Sequence, residues 1–190
     1  MRIVGGQWRG RPIDPPKGRD VSRPTTDRVR EAIASVLDSA IDSGIEGTRV
    51  LDAFAGSGAM GIELLSREAA HATFFDIDRS AAALVKHNLE KVTCSPARFH
   101  VVRGDVLLGA KRGRLPGAPF DVVLIDPPYA LGTAPAEQLL ASLLEHDLLS
   151  PRAVVIFERT STTPALEVAG FEHVKEKRYG QTSIDVLRRK

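Results

Sequence analysis

From residue 49 onward the chain alternates between two patterns. RVLDAF (49–54) is a short apolar run, and AMGIELLSRE (59–68) places apolar residues at helical spacing. The pair then recurs as ATFFDID (72–78) with SAAALVKHNLEK (80–91), and as RFHVVRGD (98–105) with the brief VLLGAK. It recurs again as FDVVLID (120–126) with PAEQLLASLLEH (135–146), and AVVIFER (153–159) closes the series. Short apolar runs fit strands buried on both faces, and the longer amphipathic segments fit the helices that cover them. This alternation predicts an α/β fold, a mostly parallel, doubly wound sheet with helices on both faces. TTPALEVAG (162–170) reads as a further short helix. FEHVKEKRYGQTSIDVLRRK reads as two strands turning near Gly180, an antiparallel C-terminal hairpin that brings the sheet to seven strands.

Upstream, a Thr cap and an early Asp precede apolar Val29, Ile33, Val36, Leu37, Ala40 and Ile41, which predicts a helix ending near Gly44. MRIVGGQWRGRPI reads as two short strands around Gly5-Gly6, and residues 14–24 as an irregular linker of Pro, Gly and charge. The expected division is therefore a basic β-hairpin extension with its linker over 1–24, and a main domain over 25–190 that includes the leading helix.

In open α/β sheets, ligands sit beyond the carboxyl ends of the strands. Asp52, Asp76, Asp78, Asp105 and Asp126 all fall at or just past expected strand ends. The stretch VLDAFAGSGAMG (50–61) supplies Gly56, Gly58 and Gly61 in G-x-G-x-x-G spacing, and Asp76 lies 20 residues past Gly56. That is the spacing of the dinucleotide fingerprint, with the acid on a ribose hydroxyl. NAD and S-adenosylmethionine both fit it, and Asp52 separates them. A dinucleotide pyrophosphate needs bare amides at a helix N-terminus, and a carboxylate just before the loop would repel it. S-adenosylmethionine carries a sulfonium and an ammonium, which an acid at the first strand end suits. The expected cofactor site is Asp52, the loop Phe54, Ala55, Gly56, Ser57 and Gly58, then Asp76 with Ile77, and Asp105 with Val106.

FDVVLIDPPY (120–129) ends a buried strand with Asp126, Pro127, Pro128 and Tyr129. Asp and Pro are ordinary strand terminators. Beside a cofactor pocket, the same residues have a chemical reading. A ring amine is a poor nucleophile because its lone pair is delocalised. Two acceptors, the Asp126 carboxylate and the Pro127 carbonyl, would hold it in line for attack on a methyl sulfonium. The prolines fix φ and so hold that carbonyl rigidly, and Tyr129 would stack on a base taken out of its helix.

Charge adds a partner. The net charge of +2 conceals a local +5 over residues 1–30, where eight Lys/Arg face three Asp. Seven of the eight are Arg, the residue suited to bidentate phosphate contact. Trp8, Arg9, Arg11, Arg23, Thr25, Arg28 and Arg30 are the expected RNA contacts. The 43% hydrophobic and 26% charged composition is that of a globular domain, with no run of membrane-spanning length and no secretory h-region. Cys94 is the single cysteine, which excludes an internal disulfide and fits a reducing cytoplasm; the five scattered His form no ligand pattern, so no metal is expected.

FAGSGAMG together with DPPY resembles the amino-methyltransferases of the Rossmann-like class I fold. IVGGQWRGR (3–11), RPTTDRVRE (23–31), LDAFAGSGAMG (51–61) and DPPY (126–129) together resemble the RsmD family, bacterial 16S ribosomal RNA guanine-N(2) methyltransferases. The resemblance spans nearly the whole chain, and its first two motifs are the family-specific ones. It implies methylation of the exocyclic amine of one guanine in the helix 31 loop, within the small ribosomal subunit or a late assembly particle, by a cytoplasmic monomer. It also implies that the N-terminal hairpin and RPTTDRVRE face the RNA and close over the cofactor. Asp76 departs from the family, where a longer Glu is common, which could shift the ribose contact to Asp78.

A DNA adenine or cytosine amino-methyltransferase uses the same four-residue chemistry. Such enzymes carry a target-recognition region to read base edges, whereas only about 45 residues here lie outside the expected sheet domain. A glutamine side-chain methyltransferase has a similar P-P-Y loop, but the Arg/Trp segment argues for nucleic acid. A non-catalytic RNA-binding module is opposed by the intact glycines, acids and DPPY.

Overall fold

The computed structural model describes residues 1–16, 26–128 and 131–190. Strands β1 (Arg49–Asp52), β2 (His71–Asp76), β3 (Phe99–Arg103), β4 (Phe120–Ile125), β5 (Leu149–Thr160), β6 (Phe171–Tyr179) and β7 (Thr182–Arg189) form one sheet. Their order is β3-β2-β1-β4-β5-β7-β6. The first five run parallel, and β7 pairs antiparallel with both β5 and β6. The order reverses between β1 and β4, so the crevice for a ligand opens at their carboxyl ends.

Helices α1 (Asp27–Ala40), α2 (Ala59–Ser66) and α3 (Arg79–Lys91) share one core layer with Val50, Leu124 and Ile156 of the sheet. Helices α4 (Val106–Lys111) and α5 (Ala134–Glu145) share the other, with Leu51, Val123, Ile125 and Phe157. Neighbours in sequence thus face opposite layers, as the period of two in a strand requires. Helix α1 begins at Thr26, whose hydroxyl accepts from the Val29 amide at 3.4 Å, and it buries Val29, Arg30, Ile33, Ala34, Val36 and Leu37. No described helix is long and apolar enough to cross a membrane.

Two expectations are corrected. Residues 162–170 are turn and extended chain, with Leu166 buried and its amide donating to Asp185 at 3.1 Å. Anchoring to a buried carboxylate on β7 replaces the helical bonds that TTPALEVAG would have made. The N-terminal hairpin is reduced to a single bridge between Arg2 and Pro12, with Ile3, Trp8 and Ile13 buried in the first core layer. Residues 1–16 therefore pack against the main domain through these side chains.

Candidate active site

Three carboxylates open on one face of the sheet. β1 pairs Asp52 with Leu124, and β4 pairs Leu124 with Ile156 and Ile125 with Phe157. The residues that follow, Asp126 just past β4 and Glu158 within β5, lie two residues on from Leu124 and Ile156 and so face the same way as Asp52. A cleft collects all three, with Phe54, Ala55, Gly56, Ser57, Ala59 and Met60 along one wall. Met1, Pro16, Arg30 and Ile33, from the N-terminal segment and α1, also line the cleft.

This crowding shifts the acids. Burial raises Asp52 to about 7, against the Gly61 amide that donates to it at 3.2 Å, and Asp76 adds a smaller push upward. Asp126 is exposed where it lines the cleft. Its carboxyl is raised well above the ordinary value, first by desolvation, then by Glu158 and Asp52. Such shifts concentrate where a protein gathers like charges for a ligand.

The glycine loop follows β1. Gly58 takes φ of +74° as the residue preceding α2, a left-handed turn that favours glycine. A side chain at Gly61 would lie 2.3 Å from the Phe74 ring and 2.9 Å from the Asp52 carboxylate, so α2 can sit this close to β2 only without one. Asp76 braces the loop: one oxygen accepts from the Gly56 amide at 2.8 Å and the other from Asp78 N at 2.9 Å. Asp78 caps α3, accepting from the Ala81 amide at 2.8 Å, which leaves Asp76 as the acid beside the loop. Ile77 is 73% exposed next to it, a large apolar side chain standing in solvent. Asp105 is exposed and caps α4 through the Leu107 amide at 2.8 Å. Val106 is buried in the second core layer, and neither it nor Asp105 lines the cleft.

Two buried side chains that sequence reading passed over tie the N-terminal segment to this site. Glu63, on α2, is fully buried and accepts from the Val4 amide at 2.8 Å and the Gly5 amide at 2.7 Å. Asn88, on α3, accepts from the Asp14 amide at 2.8 Å and donates to the carbonyls of Asp14 at 3.0 Å and Ser57 at 2.9 Å. One amide thus holds both the N-terminal segment and the glycine loop. Glu158 was also missed. Its signal was present, an acid at the end of AVVIFER, but there it reads as the first residue of a polar strand exit.

The expected RNA contacts separate. Arg9 and Arg28 are exposed. Arg11 is exposed and donates to the Val92 carbonyl at 2.9 Å. Trp8 departs from expectation: it is buried at 6% exposure, with the Arg98 guanidinium 5.8 Å from its ring centroid, and cannot stack on a base. Arg30 departs too, being 1% exposed, bonded to the Arg2 carbonyl and Asp27, and lining the cleft. A ring of that size and an arginine on the apolar face of α1 were drawn into the core that residues 1–16 build. Arg23, Thr25 and Tyr129 lie outside the described residues. Pro127 is buried and Pro128 exposed, directly after Asp126.

Comparison with known proteins gives this arrangement its relatives. The family model described as Conserved hypothetical protein 95 matches residues 1–188. Ribosomal RNA small subunit methyltransferase D of Haemophilus influenzae is 35% identical, covering 96% of this chain and 91% of its own. Its Escherichia coli namesake is 37% identical, covering 83% and 74%. A solved Escherichia coli structure superposes with a TM-score of 0.82 at 32% identity, over 100% of this chain and 97% of that one. Matched nearly end to end, the chain belongs to the Conserved hypothetical protein 95 family, which is the RsmD family.

Proposed function

We propose that this protein is a ribosomal RNA methyltransferase that uses S-adenosylmethionine to methylate the exocyclic N(2) amine of one guanine in 16S ribosomal RNA, in the helix 31 loop of the small subunit or a late assembly particle. The observation that carries the reading is Asp126, raised in pKa, entering a cleft with Asp52 and the glycine loop immediately before two prolines. The names of the two curated relatives support ribosomal RNA as substrate.

The residues present fit the cofactor. A cleft with three carboxylates and one arginine favours a cationic ligand, and Asp52 offers a buried carboxylate to it. Asp76 stands at the second strand end, and Ile77 presents an apolar face beside it. The loop backbone at Gly56 is open, with nothing within 4 Å of where a side chain would be. When bound, S-adenosylmethionine supplies a methyl group on a sulfonium, the carbon–sulfur pair remaining on sulfur as the amine nitrogen takes the carbon.

The chain's own part is positioning and proton handling. The Asp126 carboxylate and the Pro127 carbonyl accept the two N–H bonds of the target amine, turning its lone pair toward the methyl carbon. Asp126 then takes the proton that the methylated nitrogen gives up, and its raised pKa makes it a better acceptor for it. Arg9 and Arg28 meet phosphate.

Tritium transfer from labelled cofactor to small subunits, naked 16S RNA, DNA and protein tests the reading, with the labelled nucleoside then identified. N(2)-methylguanosine at a single position is expected. Label on adenine, on DNA or on protein would overturn it.

A further inference from the structure

We propose that Glu158 reads the edge of the target base, accepting the guanine N1–H while Asp126 accepts from the adjacent N2 amine. This rests on the guanine-N(2) reading above and adds the source of its selectivity. The Asp126–Pro127 pair grips an amine, and every amine-bearing base has one. Nothing in that pair separates guanine from adenine or cytosine.

The neighbouring strand supplies the difference. Ile125 pairs with Phe157 in parallel register, so Asp126, the first residue past β4, follows on beside Glu158, which is still within β5. Both line the same cleft, and Glu158 is 6% exposed. They are close enough that Glu158 contributes to the upward shift of Asp126. Two adjacent carboxylates match two adjacent donors. On its pairing edge, guanine presents N1–H beside the N2 amine. Adenine presents a bare N1 beside its amine, and cytosine a bare N3. A carboxylate opposite either lone pair is repelled, and a buried one cannot turn to water instead. An extruded base is read on this edge. The same pairing relieves the crowding of the two acids, because each gains a donor as the base arrives.

The test uses small subunits reconstituted from 16S RNA carrying either guanine or 2-aminopurine at the modified position. 2-Aminopurine keeps the 2-amine but has a bare N1 and no O6. Wild-type protein is expected to methylate it about 100-fold less efficiently than guanine in kcat/KM. In Glu158→Gln, the side-chain amide can donate to the bare N1, and the gap is expected to narrow by about tenfold. The missing O6 is common to both proteins, so the change in ratio isolates N1. An unchanged ratio in Glu158→Gln overturns the proposal. So does a wild-type protein that methylates 2-aminopurine within about threefold of guanine, an arm that needs no variant to fold. If N(2)-methylguanosine is the product and the ratio is unchanged, only the role of Glu158 falls. Any other methylated nucleoside removes the guanine reading itself, and this inference with it.

Discussion

The Asp76 carboxylate accepts from the Gly56 amide at 2.8 Å, across the gap between the end of β2 and the glycine loop after β1. The acid proposed for the ribose hydroxyls also fixes the loop that lines the cleft. Both of its oxygens accept from main-chain amides, Gly56 on one and Asp78 on the other. Asp76→Asn must turn an NH2 toward one of those amides. Loss of one charge-assisted bond is worth about 1.5–3 kcal/mol, so affinity for S-adenosylhomocysteine should fall roughly 10- to 100-fold by titration calorimetry. Affinity within about twofold of wild type would show that the loop holds its shape without Asp76.

On the proposed function, Asp126→Ala removes one of two acceptors for the target amine together with the proton acceptor, and it reaches the proposed cofactor residues through Asp52. Single-turnover methyl transfer should drop by about 100-fold or more, with S-adenosylhomocysteine affinity changed little. Retention of a large fraction of the rate would assign the amine to another acceptor.

Asp52 gives a pH dependence with a definite sign. Its folded value of about 7 lies above the unfolded one, because burial disfavours the charge. Between about pH 4 and 7 the folded protein keeps a proton that the unfolded chain has released. The stability this proton contributes is fully present below about pH 4 and is lost as pH rises to about 7. Unfolding free energies from denaturant titration should therefore fall more steeply from about pH 5 to 7 in wild type than in Asp52→Asn, by on the order of 1 kcal/mol per pH unit. Parallel profiles would mean that Asp52 is ionised in the fold throughout.

Glu63 accepts from two amides of the N-terminal segment and from Arg67 Nε at 2.9 Å, with its own side chain fully buried. Glu63→Ala leaves these donors unpaired and should cost about 3–5 kcal/mol. The amides of Val4 and Gly5 should lose most of their protection in hydrogen exchange while β4 keeps its own. If Val4 and Gly5 stay protected, the segment is held by Ile3, Trp8 and Ile13 alone.

Arg9 and Arg28 reach solvent, whereas Trp8 is core. Arg9→Gln with Arg28→Gln should weaken RNA binding and lower the slope of log affinity against log salt by about one for each phosphate left without its cation. Trp8→Ala should instead destabilise the fold by about 3–5 kcal/mol, and its salt slope should match wild type. A reduced slope in Trp8→Ala would restore the ring to the RNA surface.

The order of strands and helices was legible because each is a local pattern. Alternating apolar runs and amphipathic segments predicted the five parallel strands and their covering helices, and Gly180 predicted the terminal hairpin. The acids at strand ends were legible for the same reason, since a parallel sheet must direct successive strand ends to one edge. Residues 162–170 were misread because local spacing favoured a helix, while the buried Asp185 that anchors Leu166 lies 19 residues away in sequence.

Chemistry that depends on neighbours was not in the sequence. Whether Trp8 and Arg30 meet solvent depends on how residues 1–16 pack against α1 and α2, which residue type cannot express. That Glu63 and Asn88 hold the N-terminal segment required partners 58, 59 and 74 residues apart. The sequence by itself determined which residues stand at the ends of the strands. Only the register of β4 against β5 decided that Glu158 stands beside Asp126, because side-by-side placement follows from long-range pairing and not from spacing along the chain.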